Sequence, residues 1–128
     1  MMFESAGCRF GGAFERPGAV VDVRRFRDPD AGSLRHHCGI NAAIQLRIID
    51  NRKFPDLARE VEDLVRSGVE RVAFVCKSGR HRSVACAEIF AGIYRGVAVH
   101  RHEPWCRHNC ADCLAPLRAD VLARARLA

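Results

Sequence analysis

Val72-Ala-Phe-Val-Cys76-Lys-Ser-Gly79-Arg80-His81-Arg82-Ser83-Val84 is the stretch that decides the fold class of this chain. An apolar, largely β-branched run ends in a short loop with a glycine, four cationizable side chains and a hydroxyl, and a helical pattern starts directly after it. That order predicts a strand delivering a loop to a sheet edge, then a helix whose unpaired N–H groups and positive dipole end face the loop. Glycine lets the backbone approach a ligand closely. Lys77, Arg80, His81 and Arg82 supply charge and bidentate donors suited to phosphate. The reading is an anion cradle, with a solvated basic turn as the plain alternative.

The same residues spell Cys76-x-x-Gly79-x-x-Arg82-Ser83, the spacing of the phosphate loop in cysteine-dependent phosphatases. In that chemistry a thiolate attacks phosphorus, an arginine grips the equatorial oxygens and a hydroxyl helps the thiolate leave. Cys76, Arg82 and Ser83 would then be catalytic. Val75 stands where such enzymes carry histidine, and the upstream acid candidates, Asp50 and Asp56, could equally cap helices.

Outward from this loop the punctuation is regular. Ala19 to Phe26 reads as a strand after the turn pair Pro17-Gly18. Asn41 suits the N-cap of a helix with Ala42, Ile44, Ile48 and Ile49 on its apolar side. Pro55 opens a second helix with Leu57, Val61, Leu64 and Val65 in one stripe, ending at Ser67-Gly68. A strand over Arg71–Cys76, a helix from about His81 to Arg95 and a strand from Val97 to His102 follow. The expected fold is α/β: a small, mostly parallel sheet flanked by helices, with a Cys-rich C-terminal extension. Ligands of such sheets sit outside the carboxyl ends of the strands. Here those ends carry Arg24-Arg25, the Lys77-to-Arg82 loop and His100-Arg101-His102. Parallel strands would bring these groups together; otherwise each is a separate surface cluster.

Cys106-x3-Cys110-x2-Cys113 forms a second constellation. Three thiolates and one imidazole would complete a tetrahedral zinc site, with His102 preferred to His108, which is confined between two ligand cysteines. Without metal the same residues are free thiols in a tail. Leu114, Leu117, Val121 and Leu122 then recur at helical spacing, as a packing helix would. Cys8, Cys38 and Cys86 read as small buried hydrophobes. The expected division is an anion-binding unit over 1–103 and a Cys-rich, zinc-stabilised tail with a terminal helix over 104–128.

The chain has 128 residues, 48% of them hydrophobic and 28% charged, which suits one globular domain. Its 21 Lys+Arg against 15 Asp+Glu give a net charge of +6, favouring RNA or phosphorylated small molecules as partners. Seven cysteines, an odd number, with no basic-then-apolar start and no membrane-length apolar run, predict a reducing, cytoplasmic setting without membrane contact. Aromatic content of 7% speaks against single-stranded RNA read by base stacking, while shape reading stays open.

Val21-Asp22-Val23-Arg24, Ser33-Leu34-Arg35 with Cys38-Gly39-Ile40-Asn41, Cys76 to Ala87 with Glu88, and Val99-His100-Arg101 together resemble the C-terminal domain of the RapZ family of RNase adapter proteins. The likeness runs from about Ser5 to Glu103. Its specific part is Cys76 to Val84, which departs from the family's Gly-Cys-Thr-Gly-Gly-Lys-His-Arg-Ser at Val75, Lys77, Ser78 and Arg80. The resemblance implies an α/β fold that binds a phosphorylated amino sugar such as glucosamine-6-phosphate. In RapZ itself it also implies binding of small RNA for an endoribonuclease. The family's nucleotide-hydrolysing half carries a Gly-x-x-x-x-Gly-Lys-Ser/Thr loop, and no such loop occurs here. The expected ligand-binding set is Arg24, Arg35, Ser78, Gly79, Arg80, His81, Arg82, Ser83, His100 and Arg101. The expected metal set is Cys106, Cys110, Cys113 and His102.

Overall fold

The computed structural model describes residues 1–7, 18–26, 34, 36–101 and 110–127. Its elements run β1 (Met2–Gly7), β2 (Ala19–Asp22), α1 (Ala42–Ile49), α2 (Phe54–Arg66), β3 (Arg71–Cys76), α3 (Arg82–Tyr94), β4 (Val97–His100), α4 (Ala111–Leu114) and α5 (Ala119–Leu127). The four strands form one sheet in the order β2-β3-β1-β4, every pairing parallel. The expected α/β class holds, and the parallel strands put their carboxyl ends on one edge.

The strand at Met2–Gly7 was not expected. Met-Phe-Glu-Ser-Ala-Gly holds no β-branched residue, so its intrinsic strand preference is weak. It pairs on both sides, Phe3 with Val72 and with Ala98. Its polar side chains are answered in place. Glu4, 2% exposed, takes Arg71 and, at 3.0 Å, Arg101, while Ser5 Oγ lies 2.6 Å from His100 Nδ1.

β2 stops four residues short of the expected Phe26. Asp22 Oδ1 accepts from the Arg24 amide at 2.9 Å, an Asx turn that bends the chain out of the ladder. α1 begins as anticipated, with Asn41 Oδ1 accepting from the Ala43 amide at 2.9 Å. α3 ends at Arg95, whose φ of 53° is left-handed, and its buried face includes Ala85, Ile89 and Phe90. The helix expected around Leu114 to Leu122 is instead two. Pro116 disfavours helical backbone at the preceding residue, and Ala115 is extended at φ −77°, ψ 152°.

The core lies between the sheet and its helices. α3 packs on β1, β3 and β4, and α1 and α5 pack on α3. An aromatic chain crosses it: Phe3 stacks on Phe74 (6.3 Å between centroids), Phe74 on Phe90 (5.4 Å) and Phe90 on Phe54 at the start of α2 (5.8 Å). Val121 and Ala125 of α5 join this core, so the end of the chain is packed on it. Among the described residues, no helix is long and apolar enough to cross a membrane.

Candidate anion site and a neighbouring thiol–imidazole cluster

Cys76 ends β3 and Arg82 begins α3, so the five residues between them must reverse the chain over the sheet edge. Gly79 makes this possible with φ 72°, a left-handed conformation that a side chain would strain. Two other glycines let the neighbouring backbone close on the loop. A Cβ on Gly7 would stand 2.6 Å from the Ser78 carbonyl carbon, and one on Gly39 would stand 2.3 Å from the His81 carbonyl oxygen. The Gly39 amide donates to the Arg80 carbonyl at 2.8 Å. The loop is therefore clasped between the end of β1 and the turn before α1.

Cys76 Sγ points into the loop. It accepts from the Gly79 amide at 3.2 Å and lies 3.1 Å from Ser83 Oγ. Cys76 and Ser83 are both buried. Arg82 is 8% exposed, and one nitrogen of its guanidinium donates to the carbonyls of Phe26 (3.0 Å) and Arg24 (3.3 Å). It thereby ties the turn after β2 to the start of α3. His81, 6% exposed, directs Nε2 to the His37 carbonyl at 2.6 Å; a carbonyl only accepts, so Nε2 carries the proton. Lys77 is exposed, Ser78 and Arg80 are half-buried, and Nε and Nη2 of the Arg80 guanidinium are shielded from solvent.

The remaining expected ligand residues take other positions. Arg24 forms a bidentate pair with Asp22, as close as 2.6 Å, and that guanidinium is the first cause holding the Asp22 carboxyl below its usual range. β4 is separated from β3 by β1, about 10 Å at two strand spacings. There His100 bridges Ser5 and Glu88, with Nε2 2.7 Å from Glu88 Oε1. Arg101 reaches Glu4. Arg35 lies outside the described residues. The two candidate acids have partners of their own: Asp50 pairs with Arg124 of α5, and Asp56 with Arg59 on the next turn of α2.

A second cluster adjoins the loop. His37, Cys110 and Cys113 each offer one ligand atom, all within 4.8 Å of one another, and the group could hold a metal ion. His37 Nδ1 is 3.3 Å from both sulfurs. Asn41, whose Oδ1 is fixed by capping α1, turns its Nδ2 donor toward Cys113 Sγ at 3.4 Å and Cys110 Sγ at 4.0 Å. Cys38 is buried against Cys113 without joining the ligand group, and Cys86 is fully buried, as read from the sequence. His37 was not anticipated as a ligand, although His36-His37-Cys38 is itself a metal-type cluster. His102, Cys106, His108 and Cys8 lie outside the described residues.

The family model described as the RapZ C-terminal domain matches residues 1–108. The match continues past Glu103 to take in Cys106 and leaves Cys110 and Cys113 beyond it. No curated protein matches the chain.

Proposed function

The chain belongs to the RapZ C-terminal domain family, and from that premise we propose that it is a binding domain that recognises a phosphorylated amino sugar, of the glucosamine-6-phosphate kind, at the Cys76 to Ser83 loop. The observation that carries the reading is the loop itself. A left-handed Gly79 stands between a parallel strand and the first turn of α3, at the sheet edge where such folds hold ligands. In this reading Ser78, Gly79 and Arg80 hold the phosphate, and Arg82 fixes the loop to the turn after β2. His81 ties the loop to the His37 carbonyl, and Arg24, Arg35, His100 and Arg101 are further ligand candidates that the resemblance implies. Residues 1–103 carry this unit and 104–128 form the tail, with zinc as the ion we assign to its thiol–imidazole cluster. RNA is the polyanionic partner proposed alongside the sugar phosphate, in a reducing, cytoplasmic setting.

A second reading has a specific observation in its favour. Cys76 Sγ faces the loop amide and Ser83 Oγ, an arrangement a phosphatase nucleophile also requires. One experiment separates the two. Calorimetric titration with glucosamine-6-phosphate is expected to show binding that Arg80→Ala weakens by about 1.5–3 kcal/mol. Arg82→Ala is the poorer probe, since it also removes bonds to two backbone carbonyls. Unchanged affinity in Arg80→Ala removes that side chain from the site. Turnover of an aryl phosphate that disappears in Cys76→Ser moves the assignment to a phosphatase.

A further inference from the structure

His37 and the two tail cysteines are 73 and 76 residues apart in the chain, yet converge in one small cluster. No disulfide joins Cys110 to Cys113. An imidazole nitrogen and two sulfurs suit a borderline-soft ion such as Zn²⁺ far better than a hard cation. Tetrahedral zinc, with bonds of about 2.0–2.1 Å to nitrogen and 2.3 Å to sulfur, separates neighbouring N and S ligand atoms by about 3.6 Å. The 3.3 Å distances found are close to that edge.

Asn41 supplies an independent indication. Its oxygen is committed to the Ala43 amide, so the side chain can only present N–H to the sulfurs. A donor aimed at both sulfurs is the kind of supporting contact found around metal-bound thiolates.

We propose that His37, Cys110 and Cys113 bind one Zn²⁺, which clasps the C-terminal tail to the turn before α1 and through that turn supports the loop between Cys76 and Arg82. Binding replaces two S–H bonds by two Zn–S bonds and releases two protons, while neutral His37 coordinates through Nδ1. The fourth tetrahedral position is taken by water or a further side chain. The mechanical link is short. The ligand residue His37 offers its own carbonyl to His81 Nε2–H, and Gly39, two residues on, donates to the Arg80 carbonyl. Fixing His37 to the tail therefore fixes the backbone on which the loop rests. The metal also closes a loop of more than seventy residues, restricting the unfolded chain.

The test uses the full chain and metal alone, so its result does not depend on what the anion loop binds. Protein purified without chelator is expected to hold one zinc. After exchange, Co²⁺ should give strong tetrahedral d–d bands and thiolate-to-cobalt charge transfer. His37→Ala keeps the carbonyl that His81 uses, so it should fold yet lose the metal and these bands. Asn41→Ser keeps a capping oxygen for α1 and removes the N–H donor; zinc affinity by chelator competition should fall about 10–100-fold. Removing zinc should lower the melting temperature of the wild type and leave that of His37→Ala unchanged. Metal content well under one per chain, a Cys110–Cys113 disulfide, or full zinc retention in His37→Ala would each overturn the assignment.

Discussion

At the scale of single residues, several polar side chains among the described residues have specific partners. Glu4 has two arginines, His100 has Ser5 and Glu88, and His81 has a carbonyl. Cys86 is different: burial first, and nearby Cys76 second, push its thiol well above the ordinary range. Unfolded, that thiol ionises near pH 8.5, about the usual value. Folded, it keeps its proton to higher pH, so above that point the unfolded state binds fewer protons and stability falls as pH rises. The contribution is whole below about pH 8.5. Cys86→Ala is therefore expected to be less stable at neutral pH, yet to lose stability less steeply above pH 8.5 or so. Urea midpoints measured across that range check this, and parallel curves would exclude Cys86 as a source of the slope. Tyr94, raised mainly by burial, adds its own alkaline term to both proteins.

At the scale of elements, the loop between β3 and α3 keeps its shape because two neighbouring segments have no side chain where they meet it. Gly39 is the tighter contact. A methyl there would fall 2.3 Å from the His81 carbonyl oxygen and 2.4 Å from the Ala85 amide nitrogen, both backbone atoms that cannot swing away. Gly39→Ala is expected to destabilise the protein by about 1–3 kcal/mol or more, and the displaced loop should lose anion affinity with it. Denaturant unfolding with an unchanged m-value measures the first effect. A change within about 0.5 kcal/mol would mean the turn before α1 can move aside without cost. The other element boundaries follow local chemistry: the Asx turn at Asp22 ends β2, the Asn41 cap starts α1, and Pro116 separates α4 from α5.

At the scale of the whole molecule, a net charge of +6 and a cation-bearing loop at one sheet edge predict that polyanion binding is largely electrostatic. RNA affinity should fall linearly on a log–log plot against salt, by about 0.7 in slope for each phosphate of a single strand neutralised. Calorimetry or fluorescence titration at several salt concentrations reads the slope, and affinity independent of salt would remove RNA from the proposal. Much of this architecture was legible beforehand, since periodicity, caps and turn residues act over a few neighbours. The run Arg71–Cys76, the glycine-bearing loop and the amphipathic stripe of Leu57 and Val61 fixed β3, the candidate anion loop and α2 without knowledge of the rest. The strand β1 was not legible: Glu4 and Ser5 are tolerated in a central strand only because Arg71, Arg101 and His100, 67 to 97 residues away, meet them there. His37 beside Cys110 and Cys113 was hidden for the same reason. Local free energies are written in short stretches of sequence, whereas which buried charge or ligand finds its partner depends on how the parallel sheet orders its strands, and that is decided only when the chain closes on itself.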